Sequence, residues 1–382
     1  MRVVIAIDSM KGSLSSLEGG SAIATGVKRA WPDATCVVRP LADGGEGTVE
    51  ALTRGLGGEL RRVAVTGPAG RPVTATYGIV GEMAVMEMAQ AAGITLVRDA
   101  ERNPLETTTY GVGEMIADAV TAGCRTFVVG IGGSATNDGG AGMLQALGFS
   151  LLDRDGNEIP RGGAGLAKLA RIVPPPSSRL NGLRFHVACD VVNPLCGANG
   201  ASAVFGPQKG ATPEMVATLD AALANFASVS GGDASAPGAG AAGGLGFAFR
   251  TFLGGELESG VKLVLDETHF ADYVRTADVV VTGEGRLDAQ TAMGKATVGV
   301  AEVAGRYGKP VIAFAGCVTE DASAVNVHGI DAFFPILRAV VTLEEALDKE
   351  RAAANLAATA EQAFRLIRRF TCRCEGAGGR IA

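Results

Sequence analysis

The sequence predicts a two-domain α/β protein, and three observations carry that expectation. Short apolar, β-branched runs alternate with amphipathic helical stretches along most of the chain, the pattern of a parallel sheet with helical crossovers. At 382 residues the chain is long for one hydrophobic core, and 47% hydrophobic residues are enough to fill two. Between residues 61 and 88 the pattern changes: 63–65, 73–77 and 84–88 read as antiparallel strands, with Pro68-Ala69-Gly70-Arg71-Pro72 as a turn.

In chain order, strands are expected at 3–7, 36–39, 127–130, 185–188, 278–282 and 309–315, each a short apolar run. Four of them end in a polar or glycine turn followed by a helical pattern, and catalytic groups on open parallel sheets collect at such carboxyl ends. Helices are expected at 107–122, 139–147, 213–227 and 343–370. In the last, Leu343, Ala346 and Leu347 and then Leu356, Ala360 and Phe364 keep a stripe at spacings of three and four. The antiparallel segment suggests an inserted mixed-sheet α/β domain over 40–171, leaving a discontinuous domain of 1–39 and 172–382. The proline-rich stretch 173–177 reads as the exit from the insert. The glycine-rich stretch 231–246 is compositionally a loop, either a flexible linker or a close-packed ligand loop.

Composition narrows the function classes. The net charge of −6, with no Lys/Arg block, argues against nucleic-acid binding. No run of about 18 apolar residues exists, so no membrane partner is expected. The first eight residues read as a buried strand rather than a secretion signal. Seven cysteines in irregular spacing with no C-x-x-C pair, and only three histidines, make a structural zinc site an unfavoured reading. Cys372-Arg-Cys374 is the one place where a soft metal could bind. A reduced, cytoplasmic setting fits.

Four glycine-rich turns carry the chemistry: Asp43-Gly44-Gly45-Glu46-Gly47, the run from Gly132-Gly133-Ser134-Ala135 through Thr136-Asn137-Asp138-Gly139-Gly140, Gly206-Pro207-Gln208-Lys209-Gly210, and Gly283-Glu284-Gly285-Arg286-Leu287-Asp288. Glycine brings backbone N–H groups close to a ligand, and strings of them cradle anions. Carboxylates beside a phosphate cradle make sense chiefly with a divalent cation between the like charges. Metal-assisted phosphoryl transfer is the reaction class these turns favour.

Two rival readings exist. Gly130-Ile131-Gly132-Gly133-Ser134-Ala135 satisfies the dinucleotide fingerprint, with Asp153 near the position of a ribose carboxylate. Asp138, expected in the first turn of the following helix, would repel a pyrophosphate there. Residues 289–296 approach a phosphate loop but lack its first glycine and have Ala296 where a metal-binding hydroxyl belongs.

The chain also resembles the glycerate kinase type-1 family. The resemblance rests on residues 8–16, 40–48, 107–114 and 130–140, on Cys189-Asp190-Val191-Val192-Asn193-Pro194-Leu195-Cys196-Gly197, and on 204–210 and 282–295, in order along the chain. The family commonly has phenylalanine where this chain has Met10, a tolerable apolar exchange. The resemblance implies ATP-dependent phosphorylation of D-glycerate, most often at the 2-hydroxyl. It also implies two α/β domains, one flavodoxin-like, with the active site in the cleft between them. ATP and Mg²⁺ are the cofactors implied; a homodimer is compatible with the sequence.

Asp190, just past the strand at 185–188, is the candidate acceptor for the hydroxyl proton, with an Asx turn or helix cap as the alternative. Lys11, Lys209, Arg286 and Lys295 are candidate counter-charges for the triphosphate or the substrate carboxylate, Lys11 and Lys295 being placed nearest the chemistry. Asp43, Glu46, Asp138, Glu284 and Asp288 are more carboxylates than one Mg²⁺ needs; Asp138 and Asp288 are the expected metal ligands. Asp8, Ser9, Asp43, Glu46, Gly132, Gly133, Ser134, Thr136, Asn137, Asn193, Gln208, Lys209, Glu284, Arg286 and Gln290 are expected to bind substrate or nucleotide, with plain helix capping open for several.

Overall fold

The computed structural model describes residues 1–176, 180–289, 291 and 296–376, the side chains beyond Thr371 excepted. Its strands run in chain order β1 (Arg2–Ile5), β2 (Thr35–Val38), β3 (Glu59–Thr66), β4 (Pro72–Val80), β5 (Met83–Glu87), β6 (Thr126–Gly130) and β7 (Ser150–Leu152). They continue with β8 (Arg171–Val173), β9 (Arg184–Ala188), β10 (Glu256–Glu258), β11 (Val279–Leu287), β12 (Val311–Val318) and β13 (Ala332–Pro335). The chain divides into two compact units, Met1–Asp43 with Val264–Ala382, and Gly44–Leu263.

The first unit holds a five-stranded sheet in the order β13-β12-β11-β1-β2, parallel throughout. Renumbered within the unit, that is the flavodoxin-like order 2-1-3-4-5. Strand β1 and the residues just after it are buried, with Val3, Val4, Ile5, Ala6 and Ile7 wholly inaccessible, as a parallel sheet covered by helices requires. Helix Ser16–Ala30 starts at a capping box in which Ser15 and Glu18 satisfy each other's backbone N–H. It lies against helix Lys349–Gly376, and the contact depends on Gly26: a β-carbon there would meet the Ala357 carbonyl at 2.1 Å. The long helix buries Leu356, Ala360 and Phe364 as its periodicity predicts. The expected single helix over 343–370 is two, Leu343–Leu347 and Lys349–Gly376. Asp348 breaks it by turning extended and capping the second helix through Arg351 N–H.

The second unit holds a six-stranded mixed sheet, β10-β9-β6-β5-β4-β3. Strands β3 and β4 and then β4 and β5 are antiparallel, whereas β5, β6, β9 and β10 are parallel. Stacked Phe127 and Phe185, with ring centroids 4.8 Å apart, and Phe249 beside them mark its core. This unit continues to Leu263, beyond the exit expected at 171, because the strand at 185–188 pairs with β6 rather than with the parallel sheet of the first unit. The stretch 231–246 is close-packed: a β-carbon on Gly243 would lie 2.1 Å from the Thr136 carbonyl. From Ala241 it also opens helix Ala241–Leu253, in which Ala242, Gly243 and Gly244 sit at positive φ. Among the described residues no helix is long and apolar enough to cross a membrane.

Candidate active site

In an open sheet of order 2-1-3-4-5, the connections leave β1 in opposite directions, and a crevice opens outside the carboxyl ends of its first and third strands. Here those strands are β1 and β11. Asp8 and Ser9 follow β1; Glu284, Arg286 and Asp288 come from the end of β11 and the residue after it. Asp8 N–H donates to the Gly283 carbonyl at 2.9 Å, tying the two ends together. Gly283 must be glycine, since a β-carbon would stand 1.9 Å from the Phe314 carbonyl on β12. The result is a pocket of about 390 Å³ lined by Asp8, Ser9, Lys11, Asp43, Glu284, Gly285, Arg286, Asp288 and Ala296.

Four carboxyl groups share this pocket with two cations, and the electrostatics follow from that imbalance. Burial first, and then the nearby Asp43 carboxylate, push the Asp8 carboxyl up to about 7, against the lowering effects of Ser9 N–H and Lys11. Ser9 N–H donates to Asp8 Oδ1 at 2.7 Å. Lys11 Nζ lies 3.8 Å from Asp43 Oδ2, with its side chain 72% exposed, so the pair adds little to stability. Glu284 accepts from Thr297 Oγ1 at 3.0 Å. Asp288 accepts from Thr291 N–H at 3.2 Å, and its other oxygen lies 3.4 Å from Arg286 Nε. Crowded hard oxygens, one held near its midpoint at neutral pH, are a donor set suited to a divalent cation.

The second unit places its glycine loop after β6 differently from the sequence expectation. Asp138 is fully buried and its oxygens are already occupied. They accept from Thr109 N–H and Oγ1 at 2.8 and 2.9 Å, from Gly140 N–H at 3.1 Å and from Gly142 N–H at 3.3 Å. It therefore caps helix Ala141–Ala146 and anchors the loop, in place of the metal-ligand role expected for it. Burial holds its carboxyl above the usual range. Asp138→Ala would strand several buried donors, and the expected cost is about 3 kcal/mol or more, read by denaturant unfolding.

Lys209, a candidate counter-charge from the sequence, is buried in the same way. Only 2% of it is accessible, its Nζ donates to the Thr136 carbonyl at 2.7 Å, and burial lowers it to about 7 despite Asp138 nearby. Ser134, Thr136 and Asn137 are buried too, and Asn137 donates to Ser202 Oγ at 2.9 Å. Gly132 and Gly133 remain exposed, so their backbone is open to an anion. Glu46 and Gln208 are exposed. Asn193 donates to the Asn199 carbonyl at 2.8 Å and so braces its own loop. Asp190 stands exposed past β9 and accepts from Gly260 N–H at 3.1 Å. Gln290 and Lys295, and with them most of the near phosphate loop, lie outside the described residues, as do the side chains of Cys372 and Cys374.

Asp153 accepts from Asp155 N–H and Asn157 N–H in a tight turn directly after β7, which pairs with β8 in a separate small sheet. It does not follow a parallel neighbour of β6, so the dinucleotide reading loses its ribose ligand. Two groups were given no site role in the sequence reading. Thr107–Thr109 brace the glycine loop from behind, Thr107 Oγ1 donating to the Ala135 carbonyl at 2.9 Å. Buried Glu87 at the end of β5 accepts from Val49 N–H at 3.0 Å and caps helix Thr48–Gly55. A run of three threonines just before a helix is the signal that could have revealed the first.

Comparison with known proteins gives this architecture its family. The glycerate kinase family model matches residues 3–368, and the chain belongs to that family. It is 50% identical to a glycerate kinase of Haemophilus influenzae, covering 96% of this chain and 99% of that protein. It is 48% identical to a glycerate 2-kinase of Escherichia coli, covering 94% and 98%. A solved structure of a glycerate kinase 2 candidate from Salmonella typhimurium superposes with a TM-score of 0.89 at 47% identity, covering 97% of this chain and 99% of that one.

Proposed function

We propose that the protein is an ATP-dependent glycerate kinase that phosphorylates the 2-hydroxyl of D-glycerate, giving 2-phosphoglycerate and ADP. The match over nearly the whole chain to proteins named glycerate kinase carries this reading, and the switch-point pocket supplies suitable chemistry. Asp8, Asp43 and Glu284 are the residues that would hold Mg²⁺, which when bound draws phosphate oxygens in and offsets their charge. Asp288, the metal ligand expected from the sequence, lines the same pocket and is a fourth candidate. Lys11, Arg286 and the amino end of helix Ala296–Arg306 offset phosphate charge. Lys295 keeps its expected role as a point charge on phosphate. Asp190 takes the proton from the attacking hydroxyl. Five free thiols among the described residues and the use of ATP suit the cytoplasm.

The pH dependence of metal binding follows from Asp8. With a carboxyl that titrates at about 7, an incoming Mg²⁺ meets an ionised ligand at pH 8 but must displace a proton at pH 6. Titration calorimetry should therefore show affinity for Mg²⁺ falling about tenfold from pH 8 to pH 6. An affinity that does not change over that range would remove Asp8 from the ligand set.

The activity itself is tested by coupled ADP release from the purified chain against a panel of short hydroxy acids. D-Glycerate with Mg²⁺ should give turnover, and EDTA should abolish it. Oxidation of glycerate with NAD and no ATP consumption would overturn the reading.

A further inference from the structure

We propose a second metal site, unrelated to the switch-point pocket, formed by His186, Glu256 and Glu258 on the edge of the mixed sheet and suited to zinc-like ions rather than Mg²⁺. Parallel pairing of β9 and β10 sets Glu256 directly beside His186. Glu258, two residues on, projects from the same face because side chains alternate along a strand. One ligand atom from each residue lies within 4.8 Å of the others, the one such group of three among the described residues.

The separations favour an ion over a direct pair. His186 Nδ1 is 3.6 Å from Glu258 Oε1 and 4.0 Å from Glu256 Oε2. Both exceed the 2.7–3.2 Å of a hydrogen bond. Two ligands about 2.1 Å from a tetrahedral zinc stand about 3.4 Å apart, which is near the observed spacing. Glu258 is also preset: Lys262 Nζ holds its Oε2 at 2.7 Å, leaving Oε1 toward the imidazole. One imidazole nitrogen with two carboxylates is a donor set for zinc, cobalt or nickel, whereas Mg²⁺ prefers oxygen alone. His186 is 24% exposed and Glu256 78%, so an ion has a path from solvent.

Such an ion would clamp β10, a three-residue edge strand, to β9. The clamp lies next to the turn that carries Asp190, since Cys189 N–H donates to the Glu258 carbonyl at 2.8 Å and Gly260 N–H reaches Asp190. Its effect falls on local stability, because none of the three ligands belongs to the proposed catalytic set.

The test is calorimetry and visible absorption on the metal-stripped full chain with Zn²⁺ and Co²⁺. The site predicts one more saturable ion per chain than His186→Ala binds, a tetrahedral Co²⁺ spectrum that a tenfold excess of Mg²⁺ does not displace, and a Tm raised by roughly 5 °C at a zinc concentration 100 times Kd. His186→Ala and Glu256→Gln, both folded by circular dichroism, should each weaken binding tenfold or more. Both should keep kinase turnover at saturating Mg²⁺. No saturable binding, displacement of Co²⁺ by Mg²⁺, or parental affinity in either variant overturns the proposal.

Discussion

Asp8→Asn is expected to lower kcat/KM by about 100-fold or more while leaving the metal-free protein at least as stable at pH 8 as its parent. The two halves of this result come from one cause. Burial and the Asp43 carboxylate raise Asp8 in the folded chain from the ordinary 3.8 to about 7. The folded state therefore holds a proton that the unfolded state has already lost between about pH 4 and pH 7, and stability falls as pH rises through that window. At pH 8 the full cost of an ionised, partly buried Asp8 is present. Asparagine keeps the shape and removes the charge, so the strain is relieved while the ligand oxygen for Mg²⁺ is weakened. A residue with a purely structural role would show the opposite, a lower Tm with activity retained. Thermal unfolding at pH 6 and pH 8 beside steady-state kinetics separates the two, and turnover within threefold of the parent would end the assignment.

The second large effect is at Asp190. Asp190→Asn should reduce kcat by about 100-fold with little change in KM, because a positioned base contributes to the transition state more than to binding. The amide oxygen can still accept from Gly260 N–H, so helix Gly260–Glu267 should stay capped and Tm should barely move. Near-normal kcat would leave Asp190 as an anchor for that helix and move the base elsewhere.

The parallel strands were legible because burial on both faces writes a continuous apolar run, as in residues 3–7 and 127–130. The antiparallel segment was legible through its proline and glycine turn, where Gly67 N–H closes on the Arg71 carbonyl at 2.7 Å. Sheet membership of 185–188 was not, since an apolar run looks the same whichever sheet it joins; only its pairing with β6 decides. Within the candidate site, glycine turns marked where chain and ligand could meet. They could not tell exposed carboxylates from buried ones. Asp138 and Asp43 sit in similar glycine contexts, yet Thr109, 29 residues upstream, fills the coordination of the first. The burial of Lys209 was hidden for a related reason, since nothing local shows that the Thr136 carbonyl awaits its ammonium group.

The most direct test of phosphoryl transfer to the 2-hydroxyl is proton-coupled phosphorus NMR of the product made from D-glycerate, ATP and Mg²⁺. A phosphate ester on carbon 2 has one neighbouring proton and should appear as a doublet, growing in step with ADP. A triplet from an ester on the carbon 3 methylene, or ATP consumed with no glycerate ester formed, would contradict the account.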